Sequence, residues 1–198
     1  MKAVVLDASP RSNGLVSTMT SRIAEGLMDG GWDVDTVDVT GCRVAPCRGC
    51  MACRSTGKCV LPPDDAQRVL TLLRDADALI IGAPCYWGNM PGTLKLLLDR
   101  IVYGLMTTDA RGIPHGLLRG RRYAIVTAST TPWPWNLLFR QTAGTVRALR
   151  EVFGTAGFRL AGAIQIGGSR RLSGKLTPRL LRRCDRLTHR LSRATARR

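Results

Sequence analysis

The feature that most constrains this chain is a regular alternation of short apolar runs with segments of helical period. Residues 2–8, 32–39, 78–83, 123–128 and 158–166 read as strands; residues 2–8 and 78–83 are almost continuously apolar, as strands covered on both faces are. Helical patterns lie between them, from about residue 17 to 28, from a capping Asp64 or Asp65 to about 75, from 91 to 102, and from about 137 to 156. Parallel neighbours need a crossover of a dozen or more residues, and each helical segment supplies one. The pattern therefore predicts a mainly parallel sheet with helices on both faces. In such sheets ligands bind beyond the carboxyl ends of the strands, near the point where strand order reverses, so chemistry is expected at residues 9–17, 84–90 and 127–135.

A length of 198 residues suits one α/β domain with a core large enough to fold without disulfides. We read residues 1–198 as a single domain, with a cysteine-rich loop at 41–63 and a basic C-terminal helix at about 175–193. The first residues lack the charge, apolar and cleavage-site order of a secretion signal. The apolar runs fall far short of the roughly 18 residues of a membrane span, so a cytoplasmic protein is expected. The formal charge is +16, and the excess is unevenly placed: residues 170–198 hold eleven Lys or Arg against Asp185 alone. Leu180, Cys184, Leu187 and Leu191 recur there at helical spacing, which predicts a closing helix with a solvated basic face. Such a face also attracts nucleic acid or acidic lipid without a specific site, but no nucleic-acid-binding signature accompanies it. Residues 194–198 follow the last apolar position and are expected to be dispensable.

Three loops and one cysteine cluster carry the candidate chemistry. The first loop, ASPRSNG at 8–14, offers a hydroxyl, a guanidinium, an amide and free backbone N–H groups at a helix start, which suits a phosphate or simply caps the helix. It has neither the dinucleotide glycine pattern nor the P-loop pattern. The third loop brings Ser129, Thr130, Thr131 and Trp133; Trp133 and Trp135 suit either stacking on a flat ligand or ordinary loop packing. Cys47, Cys50, Cys53 and Cys59 are spaced by two, two and five residues. Four thiols this close favour a metal or cluster site over disulfides in a reducing compartment, and spacing alone leaves [4Fe-4S], zinc and reduced thiols open. Cys42 and Cys184 stand outside the motif, and His115 and His189 have no paired ligand or base in the sequence.

Read together with GAPCYWGNMPGTLKLLLDR at 82–100, the first loop resembles the phosphate loop and second flavin loop of the NADPH-dependent FMN reductase and flavodoxin-like superfamily. The resemblance covers residues 1–130 well and the remainder by element order. It implies a flavodoxin-like doubly wound five-stranded parallel sheet of order 2-1-3-4-5. It also implies that Ser9, Arg11 and Asn13, with backbone near Gly14 and a hydroxyl from Ser17, hold the FMN phosphate. Members often carry Asn-Thr where Leu15-Val16 stand here. Pro84, Cys85, Tyr86, Trp87, Gly88 and Asn89 would line the isoalloxazine, with Ser129 and Thr130 near its edge, while Lys95, Asp99 and Arg100 anchor the helix behind the loop.

The cysteine segment with its surroundings, VAPCRGCMACRSTGKCVLPPDD, resembles that of the iron-sulfur flavoproteins and implies a [4Fe-4S] cluster on Cys47, Cys50, Cys53 and Cys59. Some relatives carry a similar loop without a cluster. The function implied is an FMN-dependent oxidoreductase in electron transfer, reduced by NAD(P)H or a small carrier and oxidised by a small-molecule acceptor or redox protein. The flavin carries the chemistry and no side-chain acid-base pair is required. A plain NAD(P)H-dependent FMN or quinone reductase, a non-enzymatic electron carrier and a nucleic-acid-associated protein are the alternatives. The resemblance further implies a homo-oligomer, a dimer or tetramer.

Overall fold

The computed structural model describes residues 1–172 and 174–193; residue 173 and the expected dispensable end at 194–198 lie outside the described residues. The elements run β1 (Lys2–Asp7), α1 (Leu15–Asp29), β2 (Asp33–Asp38), α2 (Ala52–Thr56), α3 (Asp65–Asp75), β3 (Ala78–Gly82), α4 (Gly92–Arg100) and α5 (Val102–Leu105). There follow β4 (Met106–Thr108), β5 (Pro114–Gly116), β6 (Arg122–Ala128), α6 (Trp135–Leu138), α7 (Gln141–Thr155), β7 (Arg159–Ile166) and α8 (Pro178–Ser192). The strands β2-β1-β3-β6-β7 form one parallel five-stranded sheet. Counting those strands alone, the order is 2-1-3-4-5, as expected.

Period-two alternation along the strands divides the core in two. Val4 and Leu6 of β1, Leu79 and Ile81 of β3, and Tyr123 and Ile125 of β6 face one way, against Leu70 and Leu73 of α3, Leu94 and Leu97 of α4, and Leu149 and Phe153 of α7. Ala3, Val5, Ile80, Ala124 and Val126 face the other, against Met19, Ile23 and Leu27 of α1 and Leu180, Cys184, Leu187 and Leu191 of α8. The apolar stripe of the arginine-rich helix is therefore core, and Arg22 of α1 pairs with Asp185 of α8 at 2.8 Å beside it. No helix among the described residues is long and apolar enough to cross a membrane.

Local chemistry explains most of the boundaries. Asp64 caps α3 through Ala66 N at 2.9 Å while Gln67 Oε1 accepts Asp64 N at 2.8 Å, a reciprocal capping box. The C-terminal helix starts at Pro178, later than expected, because Thr177 caps it and Pro178 stands in its first turn. The helix expected over 137–156 is instead two, α6 and α7, divided at Arg140, whose φ of 49° leaves the right-handed helical region. The irregular stretch at 103–120 contains a small antiparallel pair, β4 and β5. The cysteine segment, without periodicity in sequence, holds the short α2 between Met51 (φ 59°) and Gly57 (φ 68°).

Phe153 is fully buried, with Tyr123 and Phe158 at ring-centroid distances of 5.6 and 5.8 Å. Phe153→Ala is expected to cost about 3–5 kcal/mol of unfolding free energy, read from the shift in urea midpoint at constant slope.

Candidate functional site

The chain turns in opposite directions from β1, so β2 and β3 flank it and a crevice opens at its carboxyl end. Backbone bonds fix three loops there: Ala8 N donates to Gly82 O at 2.8 Å, Ala83 N to Val126 O at 2.9 Å, and Cys85 N to Ala128 O at 2.9 Å. A fourth, Ser129 N to Ile166 O at 2.8 Å, carries the register to the last strand. Ser9, Arg11, Gly14, Pro84, Cys85, Tyr86 and Thr130 line a pocket of about 160 Å³ at this edge. A second pocket shares Arg11, Gly14 and Thr130 and adds Asn13.

The first loop is a tight turn held by its own backbone. Gly14 N donates to Arg11 O at 2.8 Å, and Ser9 Oγ accepts from Arg11 N at 3.3 Å. A Cβ on Gly14 would stand 2.9 Å from Arg11 O, so the closeness of the turn requires glycine. Gly14 is also the N-cap of α1 and provides no side-chain cap. The first-turn N–H groups and the helix dipole thus face the loop as an anion cradle. Ser17 is buried; its hydroxyl lies 3.0 Å from Arg11 O and also partners Asp7. Burial raises the Asp7 carboxyl above its ordinary range, against the opposing hydrogen bonds from Ser17 and the Ser9 N–H.

The second loop is a backbone hairpin in which Tyr86 and Asn89 exchange N–H···O bonds of 3.0 and 2.9 Å. Its tip, Trp87 and Gly88, has φ of 52° and 72°, and Trp87 is fully exposed. The loop is seated on α7: Thr145 Oγ1 donates to Asn89 O at 3.0 Å, and a Cβ on Gly144 would come within 2.0 Å of Gly88 O. In the third loop Ser129 Oγ lies within 3.4 Å of Thr131 O and 3.2 Å of Asn136 Oδ1, which occupies it structurally. Trp133 is exposed, while Trp135 stacks on Phe139 at 5.8 Å. Ser17, Trp87, Gly88, Asn89 and Ser129 therefore flank or support the pockets rather than line them. Outside the ranges expected from the sequence, these pockets are also lined by Ser169, Arg170 and Gly174, from the segment after β7. Its Gly-Gly-Ser-Arg-Arg run at the end of the fifth strand was the available signal.

Cys47, Cys50, Cys53 and Cys59 all line one further pocket of about 70 Å³, with Val60, Leu61, Arg100 and Val102 among its walls. Four soft donors round a mostly apolar wall suit a group that binds thiolate sulfur. Among the described residues no three Cys, His, Asp or Glu are gathered closely enough for a single metal ion. Burial, and secondarily the neighbouring Cys59, push the Cys53 thiol up; burial likewise raises Cys42, and Cys184 in the core to about 11. Cys184 is a fully buried packing thiol, and Cys42 is partly buried against the core. Lys95 and Asp99 form an exposed pair on α4 at 2.6 Å. Arg100, at the end of α4, is 1% exposed and belongs to the wall of the cysteine pocket. A nine-residue helix is about 14 Å long, so α4 spans the distance between the second loop and the cysteines.

This topology, with its ligand loops at the strand reversal, defines a flavodoxin-like α/β protein. The sequence profile of the family described as NADPH-dependent FMN reductase matches residues 1–170, and the chain belongs to that family. It is 37% identical over 102 residues to an iron-sulfur flavoprotein from Methanosarcina thermophila, covering 52% of this chain and 53% of the relative. It is 32% identical over 132 residues to an FMN-dependent NADH:quinone oxidoreductase from Stenotrophomonas maltophilia, covering 65% and 66%. The chain thus matches about half the length of the iron-sulfur flavoprotein. Among solved structures, an FMN-dependent NADH-azoreductase from Bacillus anthracis in complex with FMN has a TM-score of 0.70 at 16% identity, covering 97% and 98% of the two chains. An NAD(P)H:quinone oxidoreductase from Methanothermobacter marburgensis has 0.68 at 17%, covering 96% of both. These two show the fold.

Gly144→Ala is expected to push the 84–90 hairpin off α7, because the added methyl meets backbone rather than a movable side chain. A destabilisation of about 1–3 kcal/mol is expected, read by urea denaturation together with altered Trp fluorescence from Trp87.

Proposed function

We propose that the chain is an FMN-dependent oxidoreductase. The carrying observation is the shared pocket in which an uncapped helix start and its Ser9-Arg11 turn meet a rigid backbone hairpin at the strand reversal. FMN, once bound, supplies the hydride and electron chemistry. Ser9, Arg11 and Asn13, with the N–H groups after Gly14, hold its phosphate, and Ser17 braces the turn from below. Pro84, Cys85 and Tyr86 border the ring with Thr130 across from them, while Trp87, Gly88, Asn89 and Ser129 fix the shape of that border. NAD(P)H is the donor in keeping with the family, and a quinone or similar small molecule is the acceptor, in keeping with the Stenotrophomonas NADH:quinone oxidoreductase. Steady-state oxidation of NAD(P)H with free quinone separates this enzyme from a non-enzymatic carrier, which would show no turnover.

The second part of the reading is a [4Fe-4S] cluster on Cys47, Cys50, Cys53 and Cys59. It is supported by the four thiols on one pocket and by likeness to proteins named iron-sulfur flavoproteins. One domain, a cytoplasmic location and a homo-oligomer belong to the same reading. The exposed Trp133, Leu137, Leu138 and Phe139 beside the site suit a subunit contact. The basic outer face of α8 is read as solvated, with polyanion binding as the lesser alternative.

Arg11→Ala is expected to weaken FMN binding by about 1.5–3 kcal/mol, the scale of a lost hydrogen bond to a charged group, measured by fluorescence titration of the apoprotein. Wild-type affinity in that variant would place the phosphate elsewhere. Cys50→Ser is expected to abolish or strip the cluster while FMN stays bound, because serine is a harder and poorer cluster ligand. The measurement is iron and labile sulfide per chain beside flavin absorbance, on anaerobically prepared protein. Wild type that carries FMN but takes up no iron or sulfide after reconstitution would leave a plain FMN or quinone reductase.

A further inference from the structure

Arg100 is a buried cation at the cysteine pocket, and no step of the flavin chemistry uses it. Its side chain is completely shielded from solvent, its ionic partner Asp64 stands off at 3.4 Å, and its hydrogen-bonding capacity is only partly met. Nη2 donates to Pro62 O at 2.9 Å and reaches Asp64 Oδ2 only at 3.4 Å. That same Asp64 oxygen already accepts Ala45 N at 3.0 Å. Nη1 donates to Cys59 Sγ. Nε is buried and finds no acceptor among the described residues, and neither does the buried Nη1 of Arg54 on the same pocket wall. Buried guanidinium groups keep their charge, and N–H groups left without acceptors cost free energy unless an ion or an unseen acceptor meets them. Two such groups on the wall of a four-thiol pocket match an anionic, sulfur-rich occupant.

We propose that Arg100 is the fixed counter-cation of the cysteine-bound cluster and holds its reduction potential up. The inference rests on the cluster reading above. A cluster on four thiolates is anionic and becomes more so when it gains an electron, so a fixed positive charge favours the reduced form. Hydrogen bonds to the ligand sulfurs act in the same direction, and the dry surroundings keep both effects from being screened. Arg100 is a positioning and tuning residue, since its contact is with Cys59. Its place at the end of α4 ties that charge rigidly to the helix that begins behind the hairpin at 84–90.

The test compares wild type with Arg100→Gln and Arg100→Lys, each reconstituted anaerobically and titrated with dithionite. Dithionite supplies the single electron, and no bond is made or broken. Folding is read by circular dichroism and cluster content by iron and sulfide. Arg100→Gln is expected to lower the one-electron equilibrium constant for cluster reduction about tenfold, which is 59 mV. Arg100→Lys keeps the charge but lacks the planar fork, so it is expected to recover more than half of that shift while remaining measurably below wild type. If Arg100→Gln does not fold, Arg100→Lys decides: a lowered potential supports the proposal. A wild-type potential in either cluster-loaded variant overturns the tuning role and leaves the cluster reading standing. Folded variants that both lack a cluster overturn it in favour of a purely structural arginine. Wild type without iron and sulfide overturns the cluster reading and the inference with it.

Discussion

Burial of a parallel sheet on both faces is the constraint on which the rest of this structure depends. Strand β1 has no polar side to turn to water, so Val4 and Leu6 must be covered by one helix layer while Ala3 and Val5 are covered by another. That requirement draws the arginine-rich α8 onto α1 through Leu180, Cys184, Leu187 and Leu191 and turns its basic side outward. It also leaves the carboxyl ends of the strands as the place where loops are released from packing and can meet a ligand.

The loops at that edge are ordered by bonds to the sheet rather than by their own composition. Each begins with an N–H that continues the ladder into the neighbouring strand, at Ala8, Ala83, Cys85 and Ser129. The hairpin at 84–90 gains its support from α7, where Gly144 lets backbone approach backbone and Thr145 holds Asn89. The proposed flavin site is consequently an edge whose loops are fixed by main-chain bonds, which fits a cofactor that brings its own reactivity.

α4 gives the two candidate sites a common mechanical element. Its start follows the hairpin, and its last residue, Arg100, closes the wall of the cysteine pocket while bonding to Pro62 and Cys59. The capping box of α3 enters the same corner through Asp64, which also holds Ala45. The cysteine loop is thus clamped from both of its flanks even though α2 within it is only five residues long.

The sequence by itself determined the βα alternation and the five strands, because a continuously apolar strand and an amphipathic helix each leave a periodic trace in the residues that face the core. It also marked the first two candidate loops and the four cysteines, whose residue types and spacing are local properties. Tertiary structure alone decided what depends on distant neighbours. The break at Arg140 and the small β4–β5 pair lie where periodicity is weak and packing selects the backbone. The hydrogen bonds by which Ser129 and Ser17 hold nearby chain are likewise invisible to local pattern. Ser169, Arg170 and Gly174 reached the pocket only because β7 ends beside the first loop. Arg100 read as a helix anchor, and its position beside Cys59, 41 residues away in the chain, is a juxtaposition that no local pattern encodes.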